Sequence, residues 1–358
     1  AILSNDSLNI DAFTKNTSGN DRYAFGAIVS VNNKAYTAHL KDRVILNNQT
    51  WAILPNNKIY YSPEGFYIRD FNLSTNKSIL NIQSEQEVVK SPIDVEIKNF
   101  SITDITSVLN KDTLLASGII NGNFKVSEFE KALPAYEGDL KIDQLFVKQN
   151  KVGNLVVTSK KIDDITIHAN LKLIENENDI SIDGNYYLNH VDKQIDADIE
   201  INKFNIATLM GFTNNQITNA KGSINGKINI TGKFAQPIWN GEINFNDPSF
   251  RLEKFGTAYK INNQSIKLNY PTIELNQFTI TDSLSNTLVL DGTVKSKSIS
   301  DYVLNVDIDS KDFVIVNTPR STNEFIYGYA GVDANLKVRG AITSPSIQGS
   351  VGLNDETD

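Results

Sequence analysis

The stretch from Gly222 to Ile230 decides the fold, and it reads Gly-Ser-Ile-Asn-Gly-Lys-Ile-Asn-Ile. Isoleucines alternate here with polar residues at a period of two, which is the pattern of a half-buried β-strand. Gly222 and Gly226 share the parity of the isoleucines and therefore lie on the apolar face of this strand. Glycines on that face permit a strongly coiled sheet. From the spacing alone, bulges in an ordinary sandwich core explain them equally well.

The same alternation recurs along the whole chain, for example in residues 165–173, 180–188, 288–294 and 332–338. Turn-forming residues separate such segments at short intervals, as in Asn32-Asn33, Asn47-Asn48, Pro55-Asn56-Asn57, Ser62-Pro63-Glu64-Gly65 and Asn262-Asn263. Helical turns are predicted only from Ile105 to Ala116 and from Ile206 to Phe212, where we expect connectors. The sequence therefore predicts an all-β, mostly antiparallel fold arranged as a meander.

Three segments of the chain share one skeleton, which begins with Phe100, Phe204 or Phe313 after a strand and ends in a glycine-rich strand pair. A glycine follows this phenylalanine by 18 residues in each copy, and a proline follows it by 32 to 34 residues. Counted from that glycine, Asn335 in the third copy replaces Gly122 and Gly226. Repeats of about 105 residues predict four units: a partial module 1–93, repeat modules 94–197 and 198–306, and a partial module 307–358.

Each alternating strand must bury its apolar face against another sheet, a helix or its own closed barrel. Because the sequence offers no helical layer, we predict one elongated sheet that curls into an open hydrophobic groove. Asn225, Lys227 and Asn229 are expected to face water. The predicted groove-lining residues are Phe124, Val126, Leu140, Ile142, Ile224, Ile228, Ile230, Ile243, Phe245, Val332, Leu336 and Val338.

The motif from Gly222 to Ile243, which includes Gly226, Pro237 and Gly241, resembles the repeated signature of the TamB family, the translocation and assembly module subunits of Gram-negative bacteria. The segment Phe325-Ile-Tyr-Gly, followed by Gly331, Gly340 and Pro345, is similar to the region just before the C-terminal part of that family. The resemblance covers nearly the whole chain. It is strongest from about Leu80 onward.

This resemblance implies a taco-shaped β-groove that spans the periplasm and is anchored in the inner membrane. It implies transport of phospholipid, held by its acyl chains, toward the outer membrane. It also implies support of outer-membrane protein assembly with an Omp85-type barrel partner. The family's N-terminal anchor and C-terminal partner-binding end are not found in this chain, so we expect an internal segment whose membrane contacts lie at the missing ends.

Charge and composition exclude several classes of function. The net charge of −8 and the pI near 5.1 oppose nucleic-acid binding. No apolar run approaches the roughly 20 residues of a membrane-spanning helix. The absence of cysteine excludes disulfides and thiolate metal sites and is compatible with an oxidising compartment such as the periplasm.

The sequence contains no recognisable catalytic, metal or cofactor motif. His39, His168 and His190 stand apart, without partners at metal-ligand spacing. There is no nucleophile elbow, P-loop or dinucleotide-binding fingerprint. Glu175 to Asp179 lacks the glycine and the final glutamate of a calcium loop. We therefore predict a protein that is not an enzyme and that uses no cofactor.

Two alternatives remain open at this point. An outer-membrane β-barrel would use an aromatic cluster as an interface girdle, whereas cross-strand pairs within a hairpin explain the same cluster. A structural or adhesin-like array of β-sandwiches would require polar linkers between the repeats, and we find none at the junctions. The aromatic cluster comprises Trp51, Tyr60, Tyr61, Phe66 and Tyr67.

Overall fold

The structure is a computed structural model that describes residues 2–4, 6–109, 115–214, 216–321, 326–355 and 357. Its described part contains 26 strands, one short α-helix and one 3-10 helix. The strand pairs are antiparallel, so the predicted all-β, antiparallel fold class is confirmed. The chain divides into two compact units, one formed by residues 1–149 with 154–171 and the other by residues 150–153 with 172–358.

The first unit is built from short N-terminal strands followed by longer ones. They are β1 (Ile2–Ser4), β2 (Ser7–Lys15), β3 (Asp21–Asn32), β4 (Ala35–Leu40), β5 (Val44–Leu46), β6 (Gln49–Ile53), β7 (Lys58–Ser62), β8 (Gly65–Arg69), β9 (Phe71–Ser74), β10 (Ile79–Ser84), β11 (Ile93–Ser101), β12 (Ala116–Ser127) and β13 (Ala135–Val147). The simple meander is wrong here, because β4 pairs with β7 and β6 pairs with β9. Closely spaced turns divide this region into small hairpins that pair non-sequentially.

The core of the first unit surrounds Trp51, which is 1% exposed. Its ring packs on Phe100 with ring centroids 5.4 Å apart, and the same cluster includes Val44, Ile53 and Leu73. The other members of the aromatic cluster form the cross-strand pairs Tyr60–Tyr67 and Tyr61–Phe66 of the β7–β8 hairpin. The hairpin interpretation therefore holds for four of the five aromatic residues, whereas Trp51 belongs to the core.

Two long strands, β14 (Asn150–Lys161) and β15 (Thr166–Glu175), contribute residues to both units. The remaining strands lie in the second unit. They are β16 (Asn178–Tyr187), β17 (Ile195–Asn205), β18 (Ile217–Lys233), β19 (Gln236–Leu252), β20 (Thr257–Ile261), β21 (Gln264–Asn269), β22 (Thr272–Asp282), β23 (Thr287–Ser296), β24 (Tyr302–Thr318), β25 (Gly328–Ala341) and β26 (Ser346–Leu353). Sequential strands pair in this unit, except that β20 and β21 both pair with the 17-residue strand β19 on one side and with β22 on the other.

Both helical elements are connectors, as predicted. The 3-10 helix spans the predicted residues Ile206–Phe212, and the Asn205 side chain accepts a hydrogen bond from the Ala207 amide at 3.0 Å. The helix α1 (Ile102–Leu109) begins three residues before the prediction, since it follows directly on β11. The predicted end was wrong, because Ala116 belongs to β12. Residues 110–114 of that prediction, and Phe325 of the quoted motif, lie outside the described residues.

A bulge precedes a phenylalanine at four places in the sheet, where the pairing register shifts just before Phe100, Phe204, Phe278 and Phe313. Three of these phenylalanines begin the sequence repeats, and Phe278 is a fourth instance that the repeat analysis missed. Each is followed two residues later by isoleucine, but Phe66-Tyr67-Ile68 has the same pattern without a register shift, so the pattern alone does not identify a bulge. A bulge increases the local twist of a sheet, which gives these positions a structural role.

Candidate functional site

An uninterrupted row of apolar residues crosses nine strands of the second unit, from β16 to β25. We call the face that carries this row the apolar face of the second unit. At about 4.8 Å per strand, the row extends for about 38 Å along the sheet. Its members pair in the order Ile182, Ile199, Ile228, Gly241, Leu268, Ile273, Val294, Leu304 and Gly340.

The opposite face carries a matching polar row, in which five consecutive cross-strand partners alternate in charge. Lys227 lies 2.6 Å from the Glu200 carboxylate, and this hydrogen bond raises the pKa of the Lys227 ammonium group. The partners pair in the order Glu200, Lys227, Glu242, Lys267 and Glu274. Opposite charges in cross-strand positions stabilise the register. The two faces of the second unit are therefore chemically distinct.

Glycines on the apolar face allow neighbouring strands to approach more closely than side chains would permit. A Cβ atom on Gly226 would overlap the carbonyl oxygen of Glu242, and one on Gly292 would overlap that of Asn305. Gly292 also has a φ of 135°, which L-residues with side chains rarely adopt. This close approach explains why these two positions carry glycine.

The predicted lining residues occupy β12 and β13 in the first unit and β18, β19 and β25 in the second. Val332 and Val338 are 7% and 8% exposed, and the other ten are half-buried. Register pairs join them within each copy: Ile224 lies opposite Phe245, and Ile243 lies opposite Gly226. Of the residues expected to face water, Lys227 is exposed, while the half-buried Asn225 and Asn229 bond to polar neighbours.

The first unit carries a shorter version of the apolar face. One of its rows pairs Ile53, Leu73, Leu80, Ile97, Gly122 and Leu140. A second row pairs Phe71, Ile82, Val95, Phe124 and Gly138. In each row, a glycine on one of the strands β12 and β13 lies opposite a bulky residue on the other. The same pairing of a glycine with a bulky residue occurs in β18 and β19, where Ile228 lies opposite Gly241.

The register corrects one detail of the third copy. The copies can be aligned on the residue that pairs with the bulge phenylalanine. Counted from that residue, the third-copy position equivalent to Gly122 and Gly226 is Ala334, and not Asn335. The third copy is one residue shorter between its first glycine and this position, so counting from that glycine misplaced it. The repeat boundaries themselves stay a prediction.

The prediction also missed residues of the apolar face outside the glycine-rich strand pairs. Their signal was present in the sequence, since residues 195–201 and 288–294 alternate with the same period. On β26, Val351 and Leu353 occupy the positions equivalent to Ile243 and Phe245, and they are 59% and 66% exposed. Apart from Gly241 and Gly340, the missed members of the long row are Ile182, Ile199, Leu268, Ile273, Val294 and Leu304.

The polar side of the first unit contains a concavity of about 920 Å³. Carboxylates, lysines and amides dominate its lining, which also includes Val95, Phe124 and His168. Within the ranges that the structure describes, no group of three or more histidine, aspartate or glutamate side chains is placed to hold a metal ion. The same ranges contain no helix long and apolar enough to cross a membrane.

Comparison with protein-family models gives two matches. Residues 81–245 match the model described as TamB, N-terminal domain, and residues 276–358 match the model described as TamB C-terminal domain. No curated protein and no solved structure matches the chain. The two matched regions follow each other along the chain and together cover more than half of it, including every predicted lining residue. Residues 325–345, which were expected just before the C-terminal part of the family, lie within the C-terminal match. The chain therefore belongs to the TamB family.

Proposed function

We propose that the chain conducts phospholipid along its apolar face, as part of a groove that spans the periplasm and supports outer-membrane biogenesis and protein assembly. The observation that carries the proposal is the continuous row from Ile182 to Gly340, in which no polar side chain interrupts nine strands. Membership of the TamB family supports a role in outer-membrane assembly or lipid transport.

The energetics of acyl-chain transfer make such a row useful. Exposing a 16-carbon chain to water costs about 0.8 kcal/mol per CH₂ group, or roughly 12 kcal/mol in total. A half-buried apolar face removes much of this cost without a catalytic group. Because seven of the nine positions in the row carry isoleucine, leucine or valine and the other two carry glycine, no single position binds the chain much more strongly than its neighbours. This uniformity suits movement better than storage.

The surroundings of the groove complete the proposal at the level of the family. We place the protein in the periplasm, anchored in the inner membrane. Its partners are phospholipid acyl chains, the membranes at the ends of the groove, and an Omp85-type barrel protein in the outer membrane. The lipid headgroup stays in water on the open side of the groove, so the apolar face discriminates little between headgroups.

The test is photocrosslinking in cells that produce the full-length protein. A photoreactive residue at Ile228 lies in the apolar row, and one at Asn229 lies on the opposite face of the same strand. We expect lipid adducts at Ile228 and at least tenfold fewer at Asn229. Equal labelling at both positions, or none at Ile228, would overturn the proposed function.

A charge on the apolar face provides a functional counterpart. Ile228→Asp places a carboxylate in the middle of the row and should block lipid passage, whereas Asn229→Asp on the polar face should leave it unchanged. The readout is the rate at which labelled phospholipid reaches the outer membrane. Equal rates in the two variants would contradict conduction along this face.

A further inference from the structure

A repeated hydrogen bond across neighbouring strands accompanies the bulges. In the bulge before Phe278, the backbone amide of Gln277 donates to Oδ1 of Asp291 at 3.0 Å. In the bulge before Phe313, the amide of Asp312 donates to Oδ1 of Asp333 at 2.7 Å. The bulged residue has a φ of 51° in the first case and 52° in the second. We call the side chain that accepts such a bond the cap of the bulge.

The same arrangement recurs elsewhere in the described residues. In each case the bonded residue has a φ between 48° and 52°, and an amide oxygen of another segment accepts its N–H group at 2.8 to 3.1 Å. The additional pairs are Asp70 with Gln83, Asn99 with Asn121, Gln144 with Asn154, and Asp247 with Asn263. Left-handed backbone at a residue other than glycine is costly, so its recurrence in one geometry requires compensation.

The caps occupy particular positions relative to the apolar face. Asp291 lies on the opposite face of β23, immediately before Gly292, where β23 approaches β24 too closely for a side chain. Beyond the bulge, Phe278 is 6% exposed and contacts the lining residue Phe245, with ring centroids 5.3 Å apart. The cap Asp291 therefore lies on the polar face and bonds to the bulge that precedes Phe278. The Phe278 ring in turn contacts the predicted lining residue Phe245.

We propose that Asp291 and Asp333 are positioning residues that hold the bulges in their left-handed form and thereby set the local curvature of the apolar face against an acyl chain. This inference rests on the proposed function, since the acyl chain is the ligand that the curvature serves. Without the cap, the bulge amide loses its partner and the backbone loses the bond that offsets its strain. We expect the bulge to relax, the twist to decrease and the adjoining floor of the groove to flatten.

The experiment combines cap variants with photocrosslinking in the full-length protein. A photoreactive residue at Ile273 reports on the row close to the Phe278 bulge, and one at Ile228 reports on the same row away from it. For Asp291→Ala, we expect lipid labelling to fall at least fivefold at Ile273 and to stay unchanged at Ile228. Asp291→Asn keeps an oxygen acceptor and should restore labelling at Ile273.

The matched control is Asp198→Ala. Asp198 is also an exposed aspartate in the middle of a strand on the polar face, but it accepts a hydrogen bond from the Asn229 side chain. This variant should label like the wild type at both positions. Hydrogen exchange at β17–β19 shows whether Asp291→Ala is folded. If it is not, Asp333→Ala with a photoreactive residue at Leu336 takes its place.

The outcomes separate the two proposals. Unchanged labelling at Ile273 in a folded Asp291→Ala variant would overturn the role of the cap and leave lipid conduction standing. A loss at Ile273 that Asp291→Asn does not restore would also overturn it, because the acceptor oxygen would then be irrelevant. Absence of lipid at Ile228 and Ile273 in the wild type would overturn the proposed function, and the role of the cap with it.

Discussion

The bulges before Phe204 and Phe313 have the same strand pairing but different hydrogen bonds. In both, two residues oppose one on the next strand, and the sequence continues as Phe-x-Ile. At Phe313 the bulged residue, Asp312, has a φ of 52° and is capped by Asp333. At Phe204 the position opposite the bulge is Asn225, which instead accepts a hydrogen bond from the Asn244 side chain at 3.0 Å.

The two phenylalanines also differ in burial. Phe313 is 4% exposed and stacks on Tyr259 with ring centroids 5.4 Å apart. Phe204 is half-buried. The backbone amide after each phenylalanine donates to a buried side chain in both copies, Asn205 to Asn178 and Val314 to Asp282, each at 2.8 Å. The comparison teaches that the bulge and its hydrogen bonds are separable. A bulge is retained before Phe204, where the side chain opposite it bonds to another side chain, and before Phe313, where that side chain caps the bulged residue.

The largest expected effect comes from removing the two rings. Phe313→Ala should destabilise β24 and β25 by about 3–5 kcal/mol, because it leaves a cavity in a closed site. Phe204→Ala should cost roughly half as much around β17, since its ring already meets solvent. Hydrogen exchange followed by mass spectrometry measures each effect locally, which matters because a chain with two units need not unfold in one step. Equal costs would show that exposure does not distinguish the copies.

A smaller effect is expected from removing the side chains opposite the bulges. Asp333→Ala leaves the Asp312 amide without its acceptor and should cost about 1 kcal/mol. Asn225→Ala removes only a bond between two side chains and should change stability by less than about 0.5 kcal/mol. Exchange of the backbone amides next to each bulge provides the measurement. Faster exchange at Asp312 in the first variant, without a counterpart at Lys203 in the second, would support the distinction between capped and uncapped bulges.

The smallest expected effect concerns the exposed ion pair beside the uncapped bulge. Lys203 lies 2.8 Å from the Glu177 carboxylate, and this hydrogen bond lowers the pKa of that carboxyl group. A lowered carboxyl pKa stabilises the folded state above the ordinary pKa of glutamate, and this stabilisation disappears as the pH falls through the folded-state value. Acidification from pH 6 to pH 3 should therefore reduce the stability difference between wild type and Glu177→Gln.

Salt provides the control for this last prediction. Because both side chains are largely exposed, 1 M NaCl should also reduce the difference between wild type and Glu177→Gln. The capped bulge offers the contrast, since the direct bond from the Asp312 amide to Asp333 should survive the same salt. A salt-insensitive difference for Glu177→Gln would contradict a purely surface interaction.

Much of the fold and of the candidate site could be predicted from residue order. Period-two alternation identified the strands and the parity of their faces, so Ile228 and Asn229 were placed on opposite sides before any register was known. The Phe-to-Gly spacing related the three copies. The prediction of strands and of their two faces succeeds because a side chain's face in a strand depends only on its position along the chain.

The sequence by itself thus determined the all-β class, the two faces of each strand and the resemblance to the TamB family. Only the tertiary structure decided which strands lie side by side, and with that the continuous row from Ile182 to Gly340, the burial of Trp51 beside Phe100, and the equivalence of Ala334 with Gly226. It also decided the caps: Asp291 and Asp198 are both exposed aspartates within alternating strands, yet only Asp291 lies opposite a bulge. The physical reason is that cross-strand register is non-local. A single inserted bulge residue changes every partner beyond it, and no local pattern in either strand records that partner.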